Sequence, residues 1–354
     1  MEDSSNPKRE QKELLERLRK SSFPPAAVAA AFASFVNAAM GRAQPKSSPD
    51  RSGSPAFVQI SLAESKPAGT SVKLSLGFEY SQTSALPKFS RSLAGIAVGP
   101  ADNVYALGDG EVRIFRHDGT FVRSWKIPEQ AACLAVGRDE RVYIGASGRV
   151  EVFDSTGNHK EGFDTGDAGR TGNITSIKAT TREVLVADAA ARCIRRYDFN
   201  GRRLGEIGTQ NKTGGFMLPN RSLDIDVDSK GAVLASDPGR HRVTLWSLEG
   251  TPVRHFGKFG LMNPEDFVGC CNPVNVAFAQ DGRILTAEKV IPRVKVFDSA
   301  GKLLALIGPE HFDAKCIHLH LAVDSKGRIL VADPVRLEVK IFTVVVKPGG
   351  RENV

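Results

Sequence analysis

The chain has 354 residues, 41% of them hydrophobic, with a formal net charge of +8. That is enough apolar material for one large core, and the dispersed basic residues read as solvated surface rather than as a nucleic-acid tract. Five cysteines, an odd number with no Cys-x-x-Cys pair, exclude a disulfide-stapled miniprotein.

The first seventy residues stand apart. Residues 1–42 open with Lys8, Arg9, Lys12, Arg17, Arg19 and Lys20, followed by an uncharged stretch, 21–41, rich in alanine. Basic, then apolar, then small is the order of an export signal, and the stretch is long enough for a weak membrane anchor. The expectation is therefore an exported or membrane-anchored protein, with a cytoplasmic protein carrying an Ala-rich helix or tail as the alternative. Residues 43–70, dominated by Pro, Ser and Gly, read as a linker.

From residue 71 to 346 a pattern recurs six times. An apolar-polar-apolar run ends in an aromatic and, in the first five copies, reaches a glycine four residues later: Phe115 and Gly119, Phe153 and Gly157, Tyr197 and Gly201, Trp246 and Gly250, Phe297 and Gly301, then Phe342 alone. The aromatics recur every 38 to 51 residues. A period of that length, with alternation at period two, predicts an all-β, six-bladed β-propeller. Each unit supplies an inner strand, a second strand, the aromatic third strand, and a hairpin to an outer strand. Unit six ends after its third strand, before the tail 347–354. An open blade would expose a long sheet edge, so the segment Val72–Tyr80 is expected to close the ring by pairing with Val339–Val344.

The run from Leu321 to Asp333 followed by Val339–Phe342, and that from Ile225 to Asp237 followed by Arg242–Gly250, resemble NHL repeats. The resemblance is strongest in units three to six. In units one and two the second-strand aspartate (Asp188, Asp237, Asp333) is replaced by Gly108 and Ala146, and unit five has Glu288 there. It implies a six-bladed propeller and leaves function open, because relatives of this fold include RNA- and protein-binding modules, lyases and lactonase-like enzymes.

Candidate chemistry gathers before the last two inner strands, in Cys270, Cys271 and Asn272, and in Cys316, His318 and His320. Counting back 26 residues from the repeat aromatic lands on Cys271 and Cys316, which makes them equivalent in adjacent blades. His318 and His320 share a strand face. Convergence of these thiols and imidazoles would suit zinc, copper or iron as a metal or redox centre. A Cys271–Cys316 or Cys270–Cys271 disulfide, or plain packing of small apolar thiols, are the competing readings. Cys133 and Cys193 read as structural. Further channel-mouth candidates are Asp224, Asn275, Glu265, Asp266, Glu310 and His311, the last four in long loops.

The arginines Arg192, Arg195, Arg196, Arg202, Arg203, Arg240 and Arg242 form the strongest nucleic-acid candidate. RNA readers interleave such charge with exposed aromatics, and here Tyr197 and Trp246 belong to the core pattern, so nucleic acid is not expected. The leading expectation is an extracytoplasmic binding or scaffold propeller taking a protein or small-molecule ligand at one face. A metal-dependent lyase or hydrolase, and an intracellular RNA- or protein-binding module, are the alternatives.

Overall fold

Apolar and polar side chains alternate from residue 78 onward, with glycine or aspartate at the breaks, so the chain forms short antiparallel strands joined by hairpins. A computed structural model describes residues 78–345 apart from 129, 168–170, 210–213 and 262. The segment 1–42, the linker 43–70 and the tail 347–354 lie outside the described residues. The first strand is β1 (Tyr80–Ala85). Blade one is β2–β5 (Gly95–Val98, Val104–Gly108, Glu111–Phe115, Phe121–Lys126) and blade two β6–β9 (Ala131–Val136, Val142–Ala146, Arg149–Phe153, Phe163–Asp164). Blade three is β10–β13 (Ile174–Ala179, Val184–Asp188, Cys193–Tyr197, Arg203–Ile207) and blade four β14–β17 (Ile225–Val227, Val233–Asp237, Arg242–Trp246, Pro252–Phe256). Blade five is β18–β21 (Asn275–Phe278, Ile284–Glu288, Arg293–Phe297, Leu303–Ile307), and blade six supplies β22–β24 (His320–Val323, Ile329–Asp333, Glu338–Val344). All six sheets have four strands, because β1 pairs with β24.

That closure differs in detail from the expected one. The strand is Tyr80–Ala85, running from Tyr80 opposite Val344 to Ala85 opposite Lys340, with a bulge between Gln82 and Ser84. Of the anticipated Val72–Tyr80 segment, Tyr80 opens this strand and the Glu79 carbonyl accepts the Val345 N–H at 2.7 Å, while residues 72–77 lie outside the described residues. Five of the strand's six residues are exposed, and an outermost strand held by backbone hydrogen bonds needs no apolar alternation.

Among the described residues the buried side chains form six clusters, one between each pair of neighbouring blades. Each repeat aromatic reaches back toward the preceding blade: Phe297 packs with Leu234 and Val243, and Phe342 with Val294 and Val296. The turn glycines serve that interface too. Gly201 has φ 81°, and a Cβ there would lie 2.3 Å from the Cβ of Phe163 on the outer strand of blade two.

Antiparallel pairing puts the loop leading into each inner strand and the turn between its second and third strands on one face of the disc, here the mouth face. A carboxylate ending the second strand fastens the two together. Asp188 accepts the Asn173 N–H at 3.1 Å, Asp237 that of Met217 at 2.8 Å, Glu288 that of Val268 at 3.0 Å and Asp333 that of Asp313 at 3.0 Å. In blade one Gly108 holds the strand position, and the next residue, Asp109, takes over by accepting the N–H groups of Ser90, Arg91 and Ser92. Blade two has Ala146 at that strand position, and among the described residues no carboxylate takes over there.

Candidate functional site

Strand register identifies one equivalent position on each inner strand. Gly95 faces Leu107, Cys133 faces Gly145, Ser176 faces Ala187, Asn275 faces Ala287 and His320 faces Ala332. In blade four the position is Asp224, which exchanges hydrogen bonds with Ser236. These six residues all line the central channel, where the free volume is about 30 Å³, on the order of one or two waters.

From blade three to four and from blade four to five, side chains on or just before the inner strand cap the next blade. Thr175 Oγ1 donates to the Leu223 carbonyl at 2.7 Å and accepts the Leu223 N–H at 3.2 Å. The Asp224 carboxylate accepts the Val276 N–H at 2.9 Å and the Asn275 amide at 3.1 Å, and Asp226 accepts the Phe278 N–H at 2.7 Å. These contacts use inner-edge N–H groups that would otherwise face the axis. At the junction of blades five and six the pattern stops, and Asn275 Oδ1 is buried without a partner.

Lys178, which sequence reading passed over, also lines the channel, 3.3 Å from Asp226. Burial opposes its charge, but Asp226 and Asp224 outweigh that and raise its pKa. His318 and His320 stack with ring centroids 6.3 Å apart. Burial lowers the pKa of His318 against the pull of Asp224, and burial together with His318 pushes His320 down to about 3. Both imidazoles are neutral at pH 7.

The five cysteines are free thiols, so neither anticipated disulfide is present. Cys270 and Cys271 place their sulfurs 2.9 Å apart, and Cys316 donates its S–H to the His318 carbonyl at 2.8 Å. Burial pushes the Cys271 and Cys316 thiols up to about 12, leaving them protonated rather than ready as thiolate ligands. Among the described residues no group of three or more His, Cys, Asp or Glu is gathered closely enough to hold one metal ion. Asn272, fully buried, ties this loop to the turn after β19 by accepting the Lys289 N–H at 2.9 Å and donating to the Lys289 carbonyl at 3.0 Å.

The acidic loop candidates sit elsewhere. A lead-in loop starts at an outer strand, so its early residues lie over the middle of the blade and only its last residues reach the channel. Asp266 covers β20, where its carbonyl accepts from Lys295 at 2.6 Å. The His311 ring packs edge-on against Phe342 with centroids 5.2 Å apart. Glu265 is exposed, and Glu310 lies beside His311 at 3.5 Å. None of these four lines the channel cavity.

The arginine cluster resolves into ion pairs. Arg195 meets Asp188 and Asp167, Arg196 meets Glu183, Arg202 meets Asp198, Arg203 meets Asp167, and Arg240 and Arg242 both meet Asp237. Among the described residues only Arg192 of that group lacks a carboxylate, its Nε donating to the Phe216 carbonyl at 2.7 Å.

No family model and no curated protein matches this chain. Among solved structures it is similar to virginiamycin B lyase from Staphylococcus aureus. A catalytically inactive variant solved with quinupristin gives a TM-score of 0.52 at 11% identity, over 73% of this chain and 83% of that one. The selenomethionine-substituted enzyme gives 0.51 at 13% identity, over 76% of this chain and all of that one (100%). The WD40 propeller domain of Doa1 aligns with a TM-score of 0.49 at 15% identity, over 75% and 97% of the two chains. At these identities the likeness to the lyase is one of fold.

Proposed function

We propose that this chain is an NHL-type propeller that works outside the cytoplasm as a binding protein, presenting its mouth face to a protein or small-molecule ligand. The observation that carries this reading is the contrast between channel and face. The pocket between the inner strands has room for about 30 Å³, whereas sites for drug-sized molecules run to about 300–1,000 Å³, so among the described residues that pocket gives a lyase or hydrolase no chamber for its substrate. The mouth face is built of long loops fastened by buried carboxylates, and it leaves Met217, Ile317 and Val335 exposed. Apolar side chains held at the surface on a rigid frame are what a partner buries. The basic-then-apolar order of residues 1–41 supports a site of action beyond the membrane.

A photo-crosslinking amino acid placed at Ile317 or Val335 in the full chain, in the native host, tests the reading. Discrete adducts are expected there and none from Phe121 on the outer strand of blade one. Adducts from Phe121 alone would reject it. A fused reporter enzyme that is active only outside the cytoplasm should lose activity when residues 1–42 are removed.

A further inference from the structure

Between blades three and four the mouth face opens into a cavity of about 830 Å³. One wall is the turn after β11, with two alanines and Arg192, and beside it stands Asn173 from the loop leading into β10. The other wall is the loop leading into β14, with Met217, Leu218, Pro219 and Arg221. Among the described residues no acidic side chain lines it.

Its two arginines are set apart from the ion-paired arginines nearby. Arg192 uses only Nε, toward the Phe216 carbonyl, and Arg221 is exposed with no side-chain partner among the described residues. The carboxylates that end β11 and β15 are already engaged. Asp188 accepts the N–H groups of Asn173, Ala190 and Ala191, and Asp237 accepts that of Met217 and pairs with Arg240 and Arg242. The same two acids fix the cavity walls, which lowers the ordering cost of binding.

From this geometry we infer that the cavity is a binding site for a small organic anion, a carboxylate or phosphate on an apolar body. Guanidinium groups supply the forked donors that such oxyanions accept. The apolar walls favour an organic anion over an inorganic one by removing its body from water. The inference rests on the mouth-face reading and gives it a ligand class.

Isothermal titration of the full chain with benzoate, phenyl phosphate, inorganic phosphate and the neutral benzamide tests it. At least one organic anion should saturate, the benzoate and phenyl phosphate arms deciding which oxyanion is preferred. Benzamide and inorganic phosphate should each bind about tenfold or more weakly. Arg221→Ala, at an exposed position, and Arg192→Gln, which keeps a donor for the Phe216 carbonyl, should each weaken the preferred anion by about tenfold. Benzamide binding as tightly as the anions would overturn the inference. So would an affinity unmoved by Arg221→Ala, or no saturation by either organic anion up to about 10 mM. Ile317 and Val335 do not line this cavity, so crosslinking there still reports on the wider mouth-face reading if the anion site fails.

Discussion

Glu288 is 1% exposed and sits at the centre of a buried charge group in blade five. Its Oε1 lies 2.9 Å from Arg293 Nε and 2.7 Å from Lys295 Nζ, while Oε2 accepts from Arg293 at 3.1 Å and from the Val268 N–H at 3.0 Å. Glu288→Gln keeps the shape but leaves two buried cations without a counter-charge, and it turns an amide donor or a weaker acceptor toward each former donor. Removing one partner of such a group costs about 3–5 kcal/mol. For a domain of this size that corresponds to a fall in Tm of about 6–20 °C. Urea unfolding followed by circular dichroism should show a lower midpoint at unchanged slope. Adding Lys295→Met removes one orphaned cation and should restore part of the loss. A cost below about 1 kcal/mol would refute the claim that this carboxylate fastens the loop before β18. The group also carries a pH signature. Burial, opposed by Glu288, pushes Lys295 down to about 8, so the folded state holds fewer protons than the unfolded one between about 8 and the ordinary lysine range near 10.4. Stability should rise with pH across that window, and Lys295→Met should flatten the rise.

Gly201→Ala and Gly119→Ala separate backbone strain from close packing. Both glycines have positive φ, but a Cβ at Gly119 meets nothing nearer than Leu86 at 3.8 Å, while one at Gly201 strikes Phe163. Denaturant titration should give about 1–2 kcal/mol for Gly119→Ala and a further 1–3 kcal/mol, roughly, for Gly201→Ala; equal costs would contradict the packing role. With His320 held down to about 3, the folded state resists protonation below the ordinary histidine value. Stability is therefore lost as pH falls from about 6.5 toward 3, by as much as about 1.4 kcal/mol per pH unit, and His320→Gln should lessen that slope. Asp237→Asn should speed amide hydrogen exchange at Met217 and its neighbours while β16 stays protected, since the carboxylate holds that loop to blade four.

The six aromatics were legible because each fills the same contact with the preceding blade, and the five turn glycines because all take a positive φ. The closing strand was legible in its partner but not in its residues. Its sequence, Tyr80–Ala85, is almost wholly exposed, so the more regular alternation upstream pointed to the wrong segment. Asp109 was missed because it stands one position beyond the repeat's aspartate, after Gly108, yet it makes the same bonds to the leading loop. Counting from the aromatics made Cys271 and Cys316 equivalent, and strand register places Asn275 and His320, four residues after each, at one level with Ser176 and Cys133. The distance of Glu265, Asp266, Glu310 and His311 from the channel was not legible, because loop length says nothing about which part of a loop reaches the axis. Nor were the partners of the arginines, since Asp167 and Arg203, 36 residues apart, meet only through the packing of blades two and three.

The direct test of where this protein binds uses methionine. The chain has four, and Met217 is the only one among the described residues. With methyl-labelled methionine, the preferred of benzoate and phenyl phosphate should shift the Met217 methyl resonance saturably, assigned by its loss in Met217→Leu, and Arg221→Ala should raise the concentration needed for half of that shift about tenfold. The His320 ring signals in the channel should stay in place throughout. Movement of His320 with Met217 unchanged would put the ligand in the channel and contradict the assignment of function to the mouth face.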